Sequence, residues 1–170
     1  MSYISLSPSR TGTPGRADPG LTPLASGNKD VPLSMQSLRT YIVEDSPVIR
    51  ENLIAALEEM APVAVVGIAE DESTAVLWLA RPGDHFDLVI VDIFLKAGSG
   101  LGVLRAARAL PQRHKIVVLT NYATLDMRRK CLELGADKVF DKSNDIDALI
   151  DYCGRLAAGG SGQSGAGLLA

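Results

Sequence analysis

Between Leu38 and Leu156, short all-apolar runs alternate with longer segments in which apolar residues recur every three or four positions. The runs read as strands and the periodic segments as amphipathic helices. "LRTYIVED" (38–45) is a strand that closes on two acids. "SPVIRENLIAALEEM" (46–60) follows as a helix, with Ser46 as N-cap and Pro47 at the first helical position, where a missing N–H costs nothing. Its apolar face is expected to comprise Ile49, Leu53, Ala56, Leu57 and Met60. "VAVVGIA" (63–69) predicts a second strand and "DESTAVLWLA" (71–80) a second helix, closed by Pro82-Gly83. "DLVIVD" (87–92) is a third strand, and "SGLGVLRAARAL" (99–110) a third helix stopped by Pro111. "KIVVLTN" (115–121) and "KVF" (138–140) are the last two strands, separated by a helix "ATLDMRRKCLEL" (123–134) with Gly135 at C′. After Ser143, the residues Ile146, Leu149, Ile150 and Cys153 keep the spacing of a fifth helix.

Strands that are apolar on both faces and separated by helices imply an α/β domain: a doubly wound, five-stranded parallel sheet covered on both sides. Ligands of such sheets bind beyond the carboxyl ends of the strands. At that edge the chain delivers Glu44 and Asp45 from the first strand, Asp92 from the third, Thr120 from the fourth and Lys142 just past the fifth. Each residue type has an ordinary role elsewhere, as a helix cap, a solvated acid or a surface lysine. Their delivery to one edge by four strands is what points to a site. Three crowded carboxylates repel one another and partly protonate unless a cation joins them, and Mg²⁺ suits an oxygen-lined site with few protein ligands. With a hydroxyl and an ammonium to neutralise further oxygens, the set suits phosphoryl transfer, Asp92 being the nucleophile.

Composition narrows the picture. The 170 residues, 46% hydrophobic and 22% charged, fit one domain with tails, and a net charge of −3 argues against a surface selected for nucleic acid. Residues 1–36 hold five of the nine prolines and no hydrophobic period, so they are expected to be disordered. The segment 158–170 is rich in Gly and Ser and is expected to be flexible, which leaves 37–157 as the ordered domain. "MSYISLSPSR" lacks the features of a signal peptide and no run is long enough for a membrane helix, so a cytoplasmic protein without membrane contact is expected. Cys131 and Cys153 fall within helical patterns and read as buried reduced thiols. His85 and His114 precede strands in polar loops and read as solvated.

The pair Glu44-Asp45, Asp92 followed by Ser99, Gly100 and Leu101, "VVLTN" with Thr120, and "GADKVFDK" ending in Lys142 resemble the receiver domain of two-component response regulators. The resemblance spans about residues 38–157. It implies a flavodoxin-like strand order 2-1-3-4-5, and a phosphoryl group accepted on Asp92 from a sensor histidine kinase or a histidine phosphotransfer protein. It also implies Mg²⁺ held by Glu44, Asp45, Asp92 and the Phe94 carbonyl. Thr120 would bond a phosphoryl oxygen, and Lys142 would pair with the phosphoryl group or Asp92. Catalysis would go no further than self-phosphorylation from acyl phosphates and autodephosphorylation. Phe94 and Asn121 flank the acceptor where they can admit or exclude water, and a bulky Phe94 is expected to slow hydrolysis.

Two positions depart from the family pattern. Val139 stands where an aromatic switch residue is usual, and Phe140, one residue on, should point to the opposite face. Ser143 follows Lys142 where proline is common. An alternative therefore stays open, a receiver-like binding module that acts without phosphorylation. A Rossmann site is disfavoured because Gly98, Gly100 and Val103 do not complete the glycine fingerprint. A haloacid-dehalogenase-like phosphatase is disfavoured because Phe94 replaces its second acid. No output domain is recognised after the core, so a stand-alone receiver is expected. It would signal to a downstream protein target through the fourth helix, fifth strand and fifth helix, including Met127, Arg128, Arg129 and Lys130. That basic run reads equally well as a solvated helix face, and the same surface is open to homodimerisation.

Overall fold

A computed structural model describes residues 37–83, 85–111 and 114–159. Residues 1–36 and most of 158–170, for which disorder and flexibility were expected, lie outside the described residues. The order is β1 (Leu38–Val43), α1 (Pro47–Met60), β2 (Val63–Ala69), α2 (Glu72–Leu79), β3 (Leu88–Val91), α3 (Gly100–Arg108), β4 (Lys115–Thr120), α4 (Leu125–Glu133), β5 (Lys138–Asp141) and α5 (Ile146–Ala157). All neighbouring strands pair in parallel, in the order β2-β1-β3-β4-β5. The chain turns back between β1 and β3, so the switch point lies between the loops that leave those two strands.

The sheet separates two apolar layers. Ala75 and Leu79 of α2, Leu101, Val103, Leu104 and Ala107 of α3 and Cys131 of α4 pack on one face, together with Val91, Val118 and Val139 of the strands. Leu53 and Leu57 of α1 and Leu149, Ile150 and Cys153 of α5 pack on the other, with Ile90, Leu119 and Phe140. Val139 and Phe140 thus face opposite layers, as strand alternation requires. The cysteines are likewise buried in opposite layers as free thiols, and burial pushes the Cys153 thiol up to about 12.

Three expectations need correction. The buried face of α1 is Arg50, Leu53 and Leu57, while Ile49 and Met60 are 36% and 62% exposed. The helix is turned so that an arginine faces inward, toward the end of β1. β2 is not buried on both faces, because the strand order puts it at the sheet edge, where Ile68 is exposed. His114 is not solvated. Its ring centroid lies 3.9 Å from that of Phe86 with the planes tilted by 32°, its Nδ1 lies 3.3 Å from the Phe86 carbonyl oxygen, and burial holds its pKa below the ordinary histidine value.

Candidate functional site

β1 and β3 are central strands, so the residues that follow them emerge at the middle of the carboxyl edge. Glu44 is only 2% exposed and Asp92 only 7%; backbone bonds to neighbouring strands carry both, from Glu44 N–H to the Ala69 carbonyl (3.0 Å) and from Asp92 N–H to the Val43 carbonyl (2.9 Å). One carboxylate oxygen from each of Glu44, Asp45 and Asp92 lies within 4.8 Å of the others. Lys142 reaches this cluster from the end of β5. Its Nζ donates to Glu44 Oε2 and to Asp92 Oδ2, both at 2.6 Å, with a side chain only 8% exposed. Burial opposes the charge on this ammonium, but the hydrogen bonds and attraction of Asp92 and Glu44 outweigh it and raise the pKa.

Three carboxylates and one ammonium leave a formal charge of −2 in a largely buried cluster, which fits a small divalent cation with hard oxygen donors. Thr120 is fully buried at the end of β4, and its Oγ1 accepts a hydrogen bond from the Tyr122 N–H at 3.3 Å. The Lys142 N–H donates to the Thr120 carbonyl at 3.1 Å, which ties these two residues across the β4–β5 pair. The Ser143 N–H donates to Asp141 Oδ1 at 2.7 Å, a bond that a proline there would forfeit.

The loop from β3 to α3 is folded tightly under Asp92. Phe94 bridges to Ser99, the Gly100 N–H donates to the Ile93 carbonyl at 2.9 Å, and the Phe94 N–H lies 3.4 Å from Asp92 Oδ1. A Cβ at Gly100 would sit 2.0 Å from the Asp92 carbonyl oxygen, so only glycine permits this closure. The Phe94 ring is exposed and meets Tyr122 edge-on at 5.5 Å, forming an aromatic rim beside the acids.

Glu44, Asp45, Asp92, Thr120 and Lys142 are legible from residue types at strand ends, and the fold gathers all five at one edge. Tyr122 is not among them; its signal is an aromatic two residues past Thr120. Nor is Arg50. That guanidinium donates to the Glu44 carbonyl at 3.0 Å and pairs with Glu70 at 3.2 Å, holding the chain where β1 ends. Arg50 shares the i, i+3, i+7 spacing of Leu53 and Leu57, which was the readable sign that it faces inward.

This geometry has relatives. The family model for the response regulator receiver domain matches residues 40–153. Transcriptional regulatory protein MalR of Bacillus subtilis is 29% identical over 119 residues, covering 68% of this chain and 50% of that protein. A probable transcriptional regulatory protein of Picosynechococcus is 33% identical over 138 residues, covering 78% of this chain and 54% of its own length. The chain therefore spans about half the length of these curated relatives. A solved two-component response regulator of the LuxR family from Aurantimonas superposes with a TM-score of 0.64 at 26% identity, covering 71% of this chain and 85% of that one. An acid cluster, a buried threonine and a bridging lysine stand at the carboxyl edge of a 2-1-3-4-5 sheet, and the family match covers residues 40–153 of the chain: this chain belongs to the response regulator receiver domain family.

Proposed function

We propose that this receiver domain takes a phosphoryl group on Asp92 from the phosphohistidine of a sensor kinase or a histidine phosphotransfer protein. The observation that carries the reading is the Lys142 ammonium bridging Asp92 and Glu44 inside an acid cluster. In the transfer, an Asp92 carboxylate oxygen forms a bond to phosphorus while the P–N bond of phosphohistidine breaks, and the leaving imidazole takes a proton. Glu44, Asp45, Asp92 and the Phe94 carbonyl would hold Mg²⁺, which supplies positive charge to the phosphoryl oxygens when bound. Lys142 would shift one of its hydrogen bonds to a phosphoryl oxygen. The Thr120 hydroxyl, which now accepts from Tyr122, would turn to donate to another.

The output is a change in protein contacts through α4, β5 and α5. Arg128 ties these elements together, its Nη1 donating to the Val139 carbonyl at 2.6 Å and its Nη2 to Asp145 Oδ2 at 3.1 Å. Val139, small and buried where a switch aromatic is usual, favours a second reading in which the domain binds partners without phosphate. Intact mass after incubation with Mg²⁺ and acetyl phosphate separates the two. A gain of one phosphoryl group in the native protein and none in Asp92→Asn is expected; no gain, even with candidate kinases, supports the phosphate-independent module.

A further inference from the structure

Glu72, the first residue of α2, grips the loop beneath Asp92 at two points. Its N–H donates to the Ala97 carbonyl at 3.1 Å, and its Oε2 accepts from the Ser99 N–H at 2.7 Å. The slot for its side chain is built from two glycines of the opposing segment. A Cβ at Gly98 would lie 2.4 Å from Glu72 Cβ, and one at Gly102 would lie 2.0 Å from Glu72 Oε1. Gly98 also holds φ +79°, a conformation that side-chain-bearing residues rarely adopt. A third fastening is ionic, from Lys96 of the same loop to Glu70, which Arg50 holds from its other side.

The gripped segment leads directly to the acceptor. Ser99 bridges to Phe94, and Gly100, the next residue, closes against the backbone of Asp92 and Ile93. We propose that Glu72 is a positioning residue for phosphoryl transfer: by anchoring Ser99 through its carboxylate it fixes the Phe94–Ser99 hairpin and so sets how fast Asp92 is phosphorylated. This inference rests on the reading of Asp92 as the acceptor. Misplacing a reacting group by about 1 Å can cost up to about 100-fold in rate, so an anchor that touches no reacting atom can still control it.

The test compares the native protein, Glu72→Ala, Glu72→Gln, Gly102→Ala and the Glu72→Ala/Gly102→Ala pair. Phosphorylation by acetyl phosphate at saturating Mg²⁺ and amide hydrogen exchange without Mg²⁺ are measured on each. Glu72→Ala is expected to slow phosphorylation about tenfold and to speed exchange at Ser99 and Gly100, with the melting temperature nearly unchanged. Glu72→Gln keeps a side-chain oxygen for the Ser99 N–H and is expected to stay within about twofold of native. Gly102→Ala improves helix propensity yet expels the carboxylate. It should slow the reaction on its own and add nothing in the Glu72→Ala background. A Glu72→Ala protein that matches the native rate, or independent effects of the two substitutions, would overturn the proposal. If the native protein takes no phosphate, the acceptor reading fails and the rate claim with it. Exchange at Ser99 then decides whether Glu72 anchors the loop at all.

Discussion

Two loops flank the acid cluster, and they are held by different means. The β3–α3 loop closes on its own strand through Gly100 and Ile93, and is fastened to α2 and the end of β2 through Glu72 and Glu70. The β4–α4 loop, Asn121–Thr124, is held by the 3.3 Å bond from the Tyr122 N–H to the Thr120 hydroxyl and by the 3.0 Å bond from Arg128 Nε to the Ala123 carbonyl. Apart from the Phe94 N–H near Asp92 Oδ1, the first loop is fastened by Glu72 and Glu70, which touch no reacting atom. The second is bonded to the hydroxyl proposed to reach the phosphate, so its hold changes when that hydroxyl turns. A loop that presents ligands and a loop that responds to them call for these opposite constructions, because a few kcal/mol of differential bonding is enough to shift a two-state element.

The largest break in this contrast should come from Gly100→Ala. With its Cβ forced to within 2.0 Å of the Asp92 carbonyl oxygen, the variant is expected to lose about 3 kcal/mol in denaturant unfolding and most of its phosphorylation rate. Thr120→Ala probes the other loop. It removes one modest hydrogen bond, so stability should fall by about 1 kcal/mol, while Asp92 should still be phosphorylated and the response of the Tyr122 and Ala123 amides to phosphate should vanish in NMR spectra.

The loops meet at the edge-on contact of Phe94 and Tyr122. A double-mutant cycle to alanine should show a coupling of about 0.5 kcal/mol, and Phe94→Ala should shorten the phosphate lifetime by admitting water. A native lifetime no longer than that of the variant would remove the shielding role.

The smallest effect lies outside both loops. Burial lowers the His114 pKa, with the Phe86 carbonyl and Asp87 opposing more weakly, so the unfolded chain takes up this proton before the native one does. Stability should therefore fall as pH drops through the ordinary histidine value of about 6.5, and a His114→Phe variant should show a flatter pH dependence. Phosphorylation measured at one pH should be the same in both proteins.

Much of the site was legible because its residues sit at strand ends. An apolar run that stops on an acid, as at Val91–Asp92, announces a buried carboxylate from two adjacent letters. Strand alternation placed Val139 and Phe140 on opposite faces for the same local reason. Arg50 carries the spacing of a buried residue, but what stabilises its charge there, the Glu44 carbonyl and Glu70, comes from outside its own helix.

The sequence by itself determined the five βα units, the ends of the strands and the acids, hydroxyl and ammonium they carry, since period, caps and turn residues act within a few positions. Only the tertiary structure decided that Lys142 lies between Glu44 and Asp92, 98 and 50 residues away, and that Glu72 locks a loop 27 residues further on. Those bonds depend on which strands become neighbours and how closely the backbones pass. What Gly98, Gly100 and Gly102 each make room for, Glu72 or the Asp92 backbone, is visible only in the packed chain.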